Sequence, residues 1–180
     1  MNKTNLELKH YCTDFKKVRG VLEEFGAEKE IVKKQKDYFF ELPVAQNKNS
    51  PRLKLRVEGK KKTLVYYERP DFVKAKDTAS QVKLYEVKDE QLQGLLTAAL
   101  GVKAIVEKKR EVWRKGNTVF HIDTIKNIGN IFEIELRKNG VITEKDKTIF
   151  KSYQEKLLPF LGDVIKGSNV DLVLDKKKEV

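Results

Sequence analysis

Polar and apolar residues alternate through Asn5-Leu6-Glu7-Leu8-Lys9, the period-2 signature of a strand with one buried and one polar face. Asp14 then offers an N-cap, and Val18, Val21, Leu22 and Phe25 recur at helical spacing before Gly26, so a helix is predicted there. Residues 31–42 are again strand-like, with Tyr38, Phe39 and Phe40, and Pro43 opens a polar loop that runs to Ser50. Arg52 to Arg56 and Thr63 to Tyr67 flank a turn at Gly59, which predicts a hairpin closed by Pro70. Gln81 to Val87 reads as a strand and Glu90 to Leu100 as a short helix stopped by Gly101. Ile105 to Arg114, Thr118 to Ile125 and Ile131 to Arg137 are joined by short turns and predict a three-stranded meander. Thr143 to Phe160 reads as a helix with Ile149, Tyr153 and Leu157 on its apolar face, and the residues after Val173 read as frayed.

Many strands joined by short turns, with few helices, imply an α+β chain built on a closed or nearly closed antiparallel sheet. The chain has 180 residues, enough for one core, and with no internal repeat or linker it reads as one domain over residues 1–180. No run approaches the roughly 18 to 20 apolar residues that span a bilayer, and the first ten residues lack the apolar stretch of a signal peptide. The expectation is a cytoplasmic protein with no membrane partner. Cys12 has no second cysteine to pair with and no histidine cluster beside it, so it reads as a small buried apolar residue.

Charge changes the picture. A formal net charge of +11 calls for an anionic partner: nucleic acid, an acidic membrane surface, or a small polyanion such as a nucleoside triphosphate. Part of the excess lies in Lys16-Lys17 and in Lys176-Lys177-Lys178, which read as solvated. Nucleic acid ranks last, because the chain has no recognition helix, aromatic RNA-binding signature or finger motif.

The remaining charges fall on strand faces. Asn5, Glu7 and Lys9 share one face, as do Arg52, Lys54, Arg56 and Glu58, then Lys108 and Arg110, then His121 and Asp123, then Glu133 and Glu135. Leu6, Leu8, Leu53, Leu55, Ile122 and Ile134 take the opposite faces. Any one of these faces alone would be an ordinary solvated surface, but their signs are sorted, with cations on the strands of Arg52 and Lys108 and carboxylates on those of Asp123 and Glu135. If the sheet closes with these faces inward, its interior holds a cationic half and an anionic half. A triphosphate needs both, since its oxygens accept charge-assisted hydrogen bonds and a divalent cation held by carboxylates can bridge them. Asp123, Glu133 and Glu135 should converge, and their repulsion should weaken the metal-free protein. Arg56 and Arg110, by contrast, should be replaceable by alanine with little effect on folding.

The stretches Asn5-Leu-Glu-Leu-Lys9, Arg52-Leu-Lys-Leu-Arg56, Leu64-Val-Tyr-Tyr-Glu-Arg-Pro-Asp71, Lys108-Lys-Arg110 ahead of Trp113, His121-Ile-Asp123 and Phe132-Glu-Ile-Glu135 resemble, in order and spacing, the motifs of the CYTH superfamily. Gly167-Ser-Asn-Val-Asp-Leu172 resembles the closing segment of its class IV adenylyl cyclase-like branch. The resemblance implies an eight-stranded antiparallel tunnel with helices packed outside. It implies metal positions at Glu7, Asp123, Glu133 and Glu135, phosphate-gripping cations at Lys9, Lys54, Arg56, Lys108 and Arg110, and Glu7 and Lys9 as the catalytic pair. The cofactor implied is Mg2+ or Mn2+, and the partner a triphosphate-bearing small molecule such as ATP.

Three residues depart from the family pattern. Asn5 stands where the opening motif has its first glutamate, Phe39 near a tyrosine of the thiamine triphosphatases, and Glu68 where triphosphatases carry a lysine. The resemblance therefore implies cyclase-like processing of ATP to cyclic AMP and pyrophosphate. The alternatives are hydrolysis of thiamine triphosphate or inorganic tripolyphosphate, or a binding module with impaired turnover. His121 shares the face of Asp123 and is read as a hydrogen-bonding neighbour, outside the catalytic set. Trp113 and the Tyr66-Tyr67 pair offer ring faces to a purine, although strand aromatics more often pack.

Overall fold

The computed structural model describes residues 3–43, 49–70 and 81–178. Its strands are β1 (Lys3–Cys12), β2 (Glu28–Phe40), β3 (Asn49–Glu58), β4 (Lys61–Pro70), β5 (Gln81–Val87), β6 (Val102–Lys115), β7 (Thr118–Ile125), β8 (Gly129–Asn139) and β9 (Leu161–Val164). The α-helices are α1 (Phe15–Glu24), α2 (Leu92–Leu100), α3 (Glu144–Leu157) and α4 (Asn169–Lys178), with a 3-10 turn at Leu158–Phe160. The hydrogen-bonded order is β5-β4-β3-β2-β6-β7-β8-β1-β9. The described residues thus form a mostly antiparallel sheet with four helices, and hydrogen bonds do not close it. The antiparallel sheet with helices is as expected, while hydrogen bonding among the described residues does not show the closure of the expected eight-stranded barrel. A ninth strand, only four residues long, ends the order on β1, and β5 ends it on β4.

The chain divides into two compact units, the first made of residues 1–33, 109–125 and 129–166, the second of 34–108, 126–128 and 167–180. In the first, β1, β7 and β8 pair in register, with Leu6 opposite Leu136, Leu8 opposite Ile134 and Phe120 opposite Ile134 across its two ladders. Alternation puts these residues on one face, where α1 and α3 cover them. The core there holds Val18, Leu22, Phe25, Trp113, Phe120, Ile122, Phe132, Ile134, Phe150 and Leu157. Each large apolar side chain so buried contributes about 1.5–3 kcal/mol. Asp14 caps α1 by accepting from the Lys17 N–H at 3.0 Å, and Gly26, at φ +68, turns the chain out of the helix. Thr143 and Asp146 form the capping box of α3. On that helix Phe150 takes the buried place, whereas the expected Ile149 is 37% exposed. Cys12 and Trp113 are buried, and Trp113 belongs to the core rather than offering a stacking face.

In the second unit, β3 and β4 form the expected hairpin, with Leu55 opposite Leu64 and Leu53 opposite Tyr66, and β4 pairs β5. Phe40, Leu55 and Val87 form a core on which Leu92, Leu96 and Leu100 of α2 pack at i, i+4 and i+8. The segment expected to fray is instead α4. The Asp171 carboxylate accepts from both the Ser168 N–H and its hydroxyl at 2.8 Å, which fixes the first turn, and Lys176, Lys177 and Lys178 end the helix at the negative pole of its dipole. No described helix is long and apolar enough to cross a membrane.

Candidate functional site

In the first unit, the face of the sheet opposite the core carries Glu7, Lys9, Arg110, His121, Asp123, Glu133 and Glu135. Register brings them together. Glu7 lies directly opposite Glu135, Lys9 opposite Glu133 on one side, and His121 opposite Glu133 on the other. All but Glu7 and Arg110 fall among the buried residues. Burying carboxylates is unfavourable unless they are paired, and here the cations pair them. Arg110 clamps Asp123 with both arms of its guanidinium at 2.7 and 2.5 Å, and reaches Glu133 at 3.4 Å. Lys9 Nζ lies 3.3 Å from Glu7 and 3.5 Å from Glu133. Arg137 donates to Glu135 at 2.6 Å.

Glu133 and Glu135 converge with His121, Asp123 joins them only through Arg110, and the cations among these carboxylates offset the repulsion that was expected to weaken the metal-free protein. The titration directions agree. Burial acts to raise Glu135, but the His121 ring and the Arg137 guanidinium beside it lower it on balance. Burial acts to lower Arg110, but the charges of Asp123 and Glu133 outweigh it and keep the guanidinium firmly protonated. His121 is lowered, first by burial and then by the charge of Arg110. The ring neighbours Glu135, as expected, but at a distance too long for a good hydrogen bond. It is 4% exposed, its Nδ1 has no hydrogen-bond partner, and its Nε2 lies 3.6 Å from Glu135 Oε2, just beyond hydrogen-bond length.

Donor atoms of His121, Glu133 and Glu135 lie within 4.8 Å of one another, a buried nitrogen and carboxylate set that suits a divalent cation. The other two expected ligands stand differently. Asp123 is gripped by Arg110, and the Glu7 side chain is 33% exposed. The backbone of Asn5 pairs with Arg137, and its side chain lies outside those described.

The second unit has a cluster of its own, organised by a residue the sequence reading passed over. Asp37 of β2 is buried, and it accepts from Lys54 Nζ at 2.7 Å and from Arg56 Nε and NH2 at 2.7 and 2.8 Å. Burial acts to raise its carboxyl, but the Arg56 hydrogen bond and the Lys54 and Arg56 charges win and hold it below the usual aspartate range. Phe39 faces Lys54 across the ladder, and the ammonium sits 5.2 Å from its ring centroid and 5.9 Å from that of Tyr67. The missing tyrosine hydroxyl therefore leaves the ring contact in place. Glu68 pairs with Pro51 and accepts from the Tyr66 hydroxyl at 2.8 Å, on the face of β4 away from Lys54. Arg52 is held by α4, donating to Ser168 and, at 2.8 Å, to Asp171, while Lys108 is buried.

The family model of the CYTH domain matches residues 3–162. No curated protein matches the chain. Among solved structures, the PH1012 protein of Pyrococcus horikoshii OT3 is similar at TM-score 0.70 and 22% identity, over 93% of this chain and 98% of that one. A candidate adenylate cyclase of Vibrio parahaemolyticus is similar at TM-score 0.65 and 16% identity, over 96% and 99%. HpAC1 of Hippeastrum, a candidate adenylyl cyclase described as revealing a dominant triphosphatase activity, is similar at TM-score 0.63 and 13% identity, over 98% and 96%. At such identities these likenesses speak for the fold.

Proposed function

The chain belongs to the CYTH domain family, and from that membership we propose that it binds and processes a triphosphate with a divalent cation, cyclising ATP to cyclic AMP and pyrophosphate. The observation that carries this reading is the buried face of the first unit, where Lys9 and Arg110 lie against Glu133 beside the His121, Glu133 and Glu135 donor set. The cation, Mg2+ or Mn2+, would be held by Glu133 and Glu135 with Glu7 and Asp123, and when bound it supplies neutralisation and polarisation of phosphate oxygens.

The chain's own residues supply position and charge. In cyclisation the ribose 3′-oxygen attacks the α-phosphorus while the bond to the pyrophosphate oxygen breaks, so negative charge moves toward the leaving group. Lys9 and Arg110, held in place by the carboxylates beside them, would exchange part of those contacts for the phosphate oxygens. Glu7, 3.3 Å from the Lys9 ammonium, positions it. Lys54, Arg56 and Lys108 enter the same reading as phosphate-binding residues through their match to the family motifs. The reading treats residues 1–180 as one CYTH domain in a cytoplasmic setting.

A second reading, a triphosphate-binding module with weak turnover, is favoured by one observation: Lys54 and Arg56 are already engaged by Asp37. One set of measurements separates the two. Turnover of ATP, tripolyphosphate and thiamine triphosphate is followed with Mg2+ and with Mn2+, and binding of each is measured by calorimetry. Cyclic AMP from ATP supports the cyclase, release of phosphate the triphosphatase, and binding without either product defeats the enzyme reading. Thermal melts of wild type and Glu135→Gln complete the set, since the metal assignment requires a rise with millimolar Mg2+ or Mn2+ that the variant blunts.

A further inference from the structure

His121 needs an explanation that the triphosphate reading leaves out. A neutral imidazole carries one donor and one acceptor, and leaving them without hydrogen bonds of good length in a buried site is unfavourable, which is why such groups are rare in folded proteins. The ring sits on β7 directly opposite Glu133, its Nε2 lies 3.6 Å from Glu135 Oε2, and donor atoms of all three residues fall within 4.8 Å of one another. Ions bound at about 2.0–2.2 Å hold neighbouring ligand atoms ~3 Å apart and opposite ones ~4 Å apart. The 3.6 Å pair lies within that range, and the 4.8 Å limit of the set lies just outside it, so a bound ion would have to draw the side chains inward. The carboxylates alone would suit any hard cation, and a neutral nitrogen adds nothing to that preference. It adds much for first-row transition ions, whose affinity for imidazole exceeds that of Mg2+.

We propose that His121 is a nitrogen ligand of the divalent cation held by Glu133 and Glu135, so that this site selects a transition ion such as Mn2+ over Mg2+. The proposal rests on the metal reading above but assigns a ligand and a selectivity that the expected carboxylate set lacks. The chain helps the test by having only two histidines. The other, His10, lies on the opposite face of β1, buried, with Nδ1 2.8 Å from the Gly162 carbonyl oxygen. A nitrogen coupling to the bound ion therefore reports His121.

The full chain, free of any histidine tag and in a buffer without nitrogen ligands, is stripped of metal and titrated with Mn2+ alone, free ion being followed by electron paramagnetic resonance. Mg2+ is then measured in competition. Pulsed resonance on the bound Mn2+ should show 14N coupling in the wild type. His121→Gln, which replaces the nitrogen by an amide, should abolish the coupling and reduce the Mn2+ over Mg2+ preference about tenfold, a change of ~1.4 kcal/mol. Stoichiometric Mn2+ without 14N coupling overturns the proposal while leaving the carboxylate metal site standing, and this result needs no variant to fold. An unchanged preference in a folded His121→Gln overturns it as well. No Mn2+ binding to the wild type overturns both the ligand assignment and the metal reading beneath it.

Discussion

Replacing Asp37 by asparagine should weaken the fold and strengthen phosphate binding at once. The substitution keeps the shape and removes the charge that Lys54 and Arg56 share. Three short contacts are affected, at 2.7, 2.7 and 2.8 Å. Each charge-assisted hydrogen bond contributes about 1.5–3 kcal/mol, but they converge on one carboxylate and do not add. Removing one partner of a buried ion pair costs about 3–5 kcal/mol. The Arg56 side chain is 25% exposed and recovers some hydration, which moves the expectation to the low end, about 3 kcal/mol. For a chain of this length that corresponds to a fall of roughly 6–12 °C in Tm. Without the carboxylate, phosphate oxygens meet Lys54 and Arg56 with less competition, and tripolyphosphate should bind about tenfold tighter.

The assay is thermal denaturation with and without tripolyphosphate, joined to calorimetric titration at fixed ionic strength. The pH arm has a definite sign. The folded carboxyl lies below its unfolded value, so the stability it confers is complete above an ordinary aspartate pKa of ~3.9 and is lost as pH falls below it. Wild type should therefore show an acid-side loss that Asp37→Asn lacks. A variant that melts within about 2 °C of wild type, with the same acid slope, would refute the pairing and the reasoning built on it.

Arg110→Ala, expected from sequence to fold normally, should instead lose about 3 kcal/mol or more, because Asp123 and Glu133 remain buried without the guanidinium; chemical denaturation measures it. Glu111, 7% exposed and bound by both arms of Arg19 at 3.0 and 2.7 Å, has its pKa lowered to about 2 chiefly by those hydrogen bonds. Its contribution should be complete above an ordinary glutamate value of ~4.3 and fade as pH drops toward 2; Glu111→Gln, about 2 kcal/mol less stable at neutral pH, should flatten that limb of a pH melt. Gly167→Ala should cost about 1–2 kcal/mol in a denaturation series, since φ is +112 and an added Cβ would lie 3.1 Å from Asp171 Oδ2, the carboxylate that fixes α4.

The sequence made faces legible and left partners hidden, for a physical reason. Period-2 alternation assigns every second residue to one side, so Leu6, Leu8, Leu55, Ile122 and Ile134 were readable as core and Glu7, Lys9, Arg56, Asp123 and Glu135 as the other face. Which residue meets which depends on register between strands distant in the chain, and alternation says nothing of that. Asp37 shows the gap. It stands in Lys36-Asp37-Tyr38-Phe39-Phe40, where the aromatic run drew the reading, and only the β2-β3 register places it opposite Arg56. Its signal was a carboxylate on the same alternate positions as Gln35 and Phe39, in the half of β2 from Lys33 onward that otherwise holds cations, one amide and aromatics. The α4 helix was missed because its lysine run resembles a solvated tail, while its start is fixed by Ser168 and Asp171 rather than by apolar periodicity.

Sorted charge was read as a cationic half facing an anionic half, yet within each unit the structure mixes them. Arg110 and Lys9 sit among the carboxylates of β7 and β8, and Asp37 sits between Lys54 and Arg56. This follows from folding in water without a ligand. A buried face of like charge raises the free energy of the native state, and the accessible remedy is an opposite charge one strand away. Polyanion binding then becomes an exchange of partners, in which phosphate oxygens take the place of Asp37 on Lys54 and Arg56. Because ion pairs are broken as well as formed, net affinity is smaller than the cation count implies, and selectivity rises. A single carboxylate or sulfate offers too few oxygens to replace the internal partners, whereas a triphosphate offers enough for several cations at once. Tripolyphosphate should accordingly bind wild type far more tightly than sulfate at equal ionic strength, and Asp37→Asn should narrow the gap by improving sulfate more. Equal gains for the two anions would show that Asp37 acts on net charge alone.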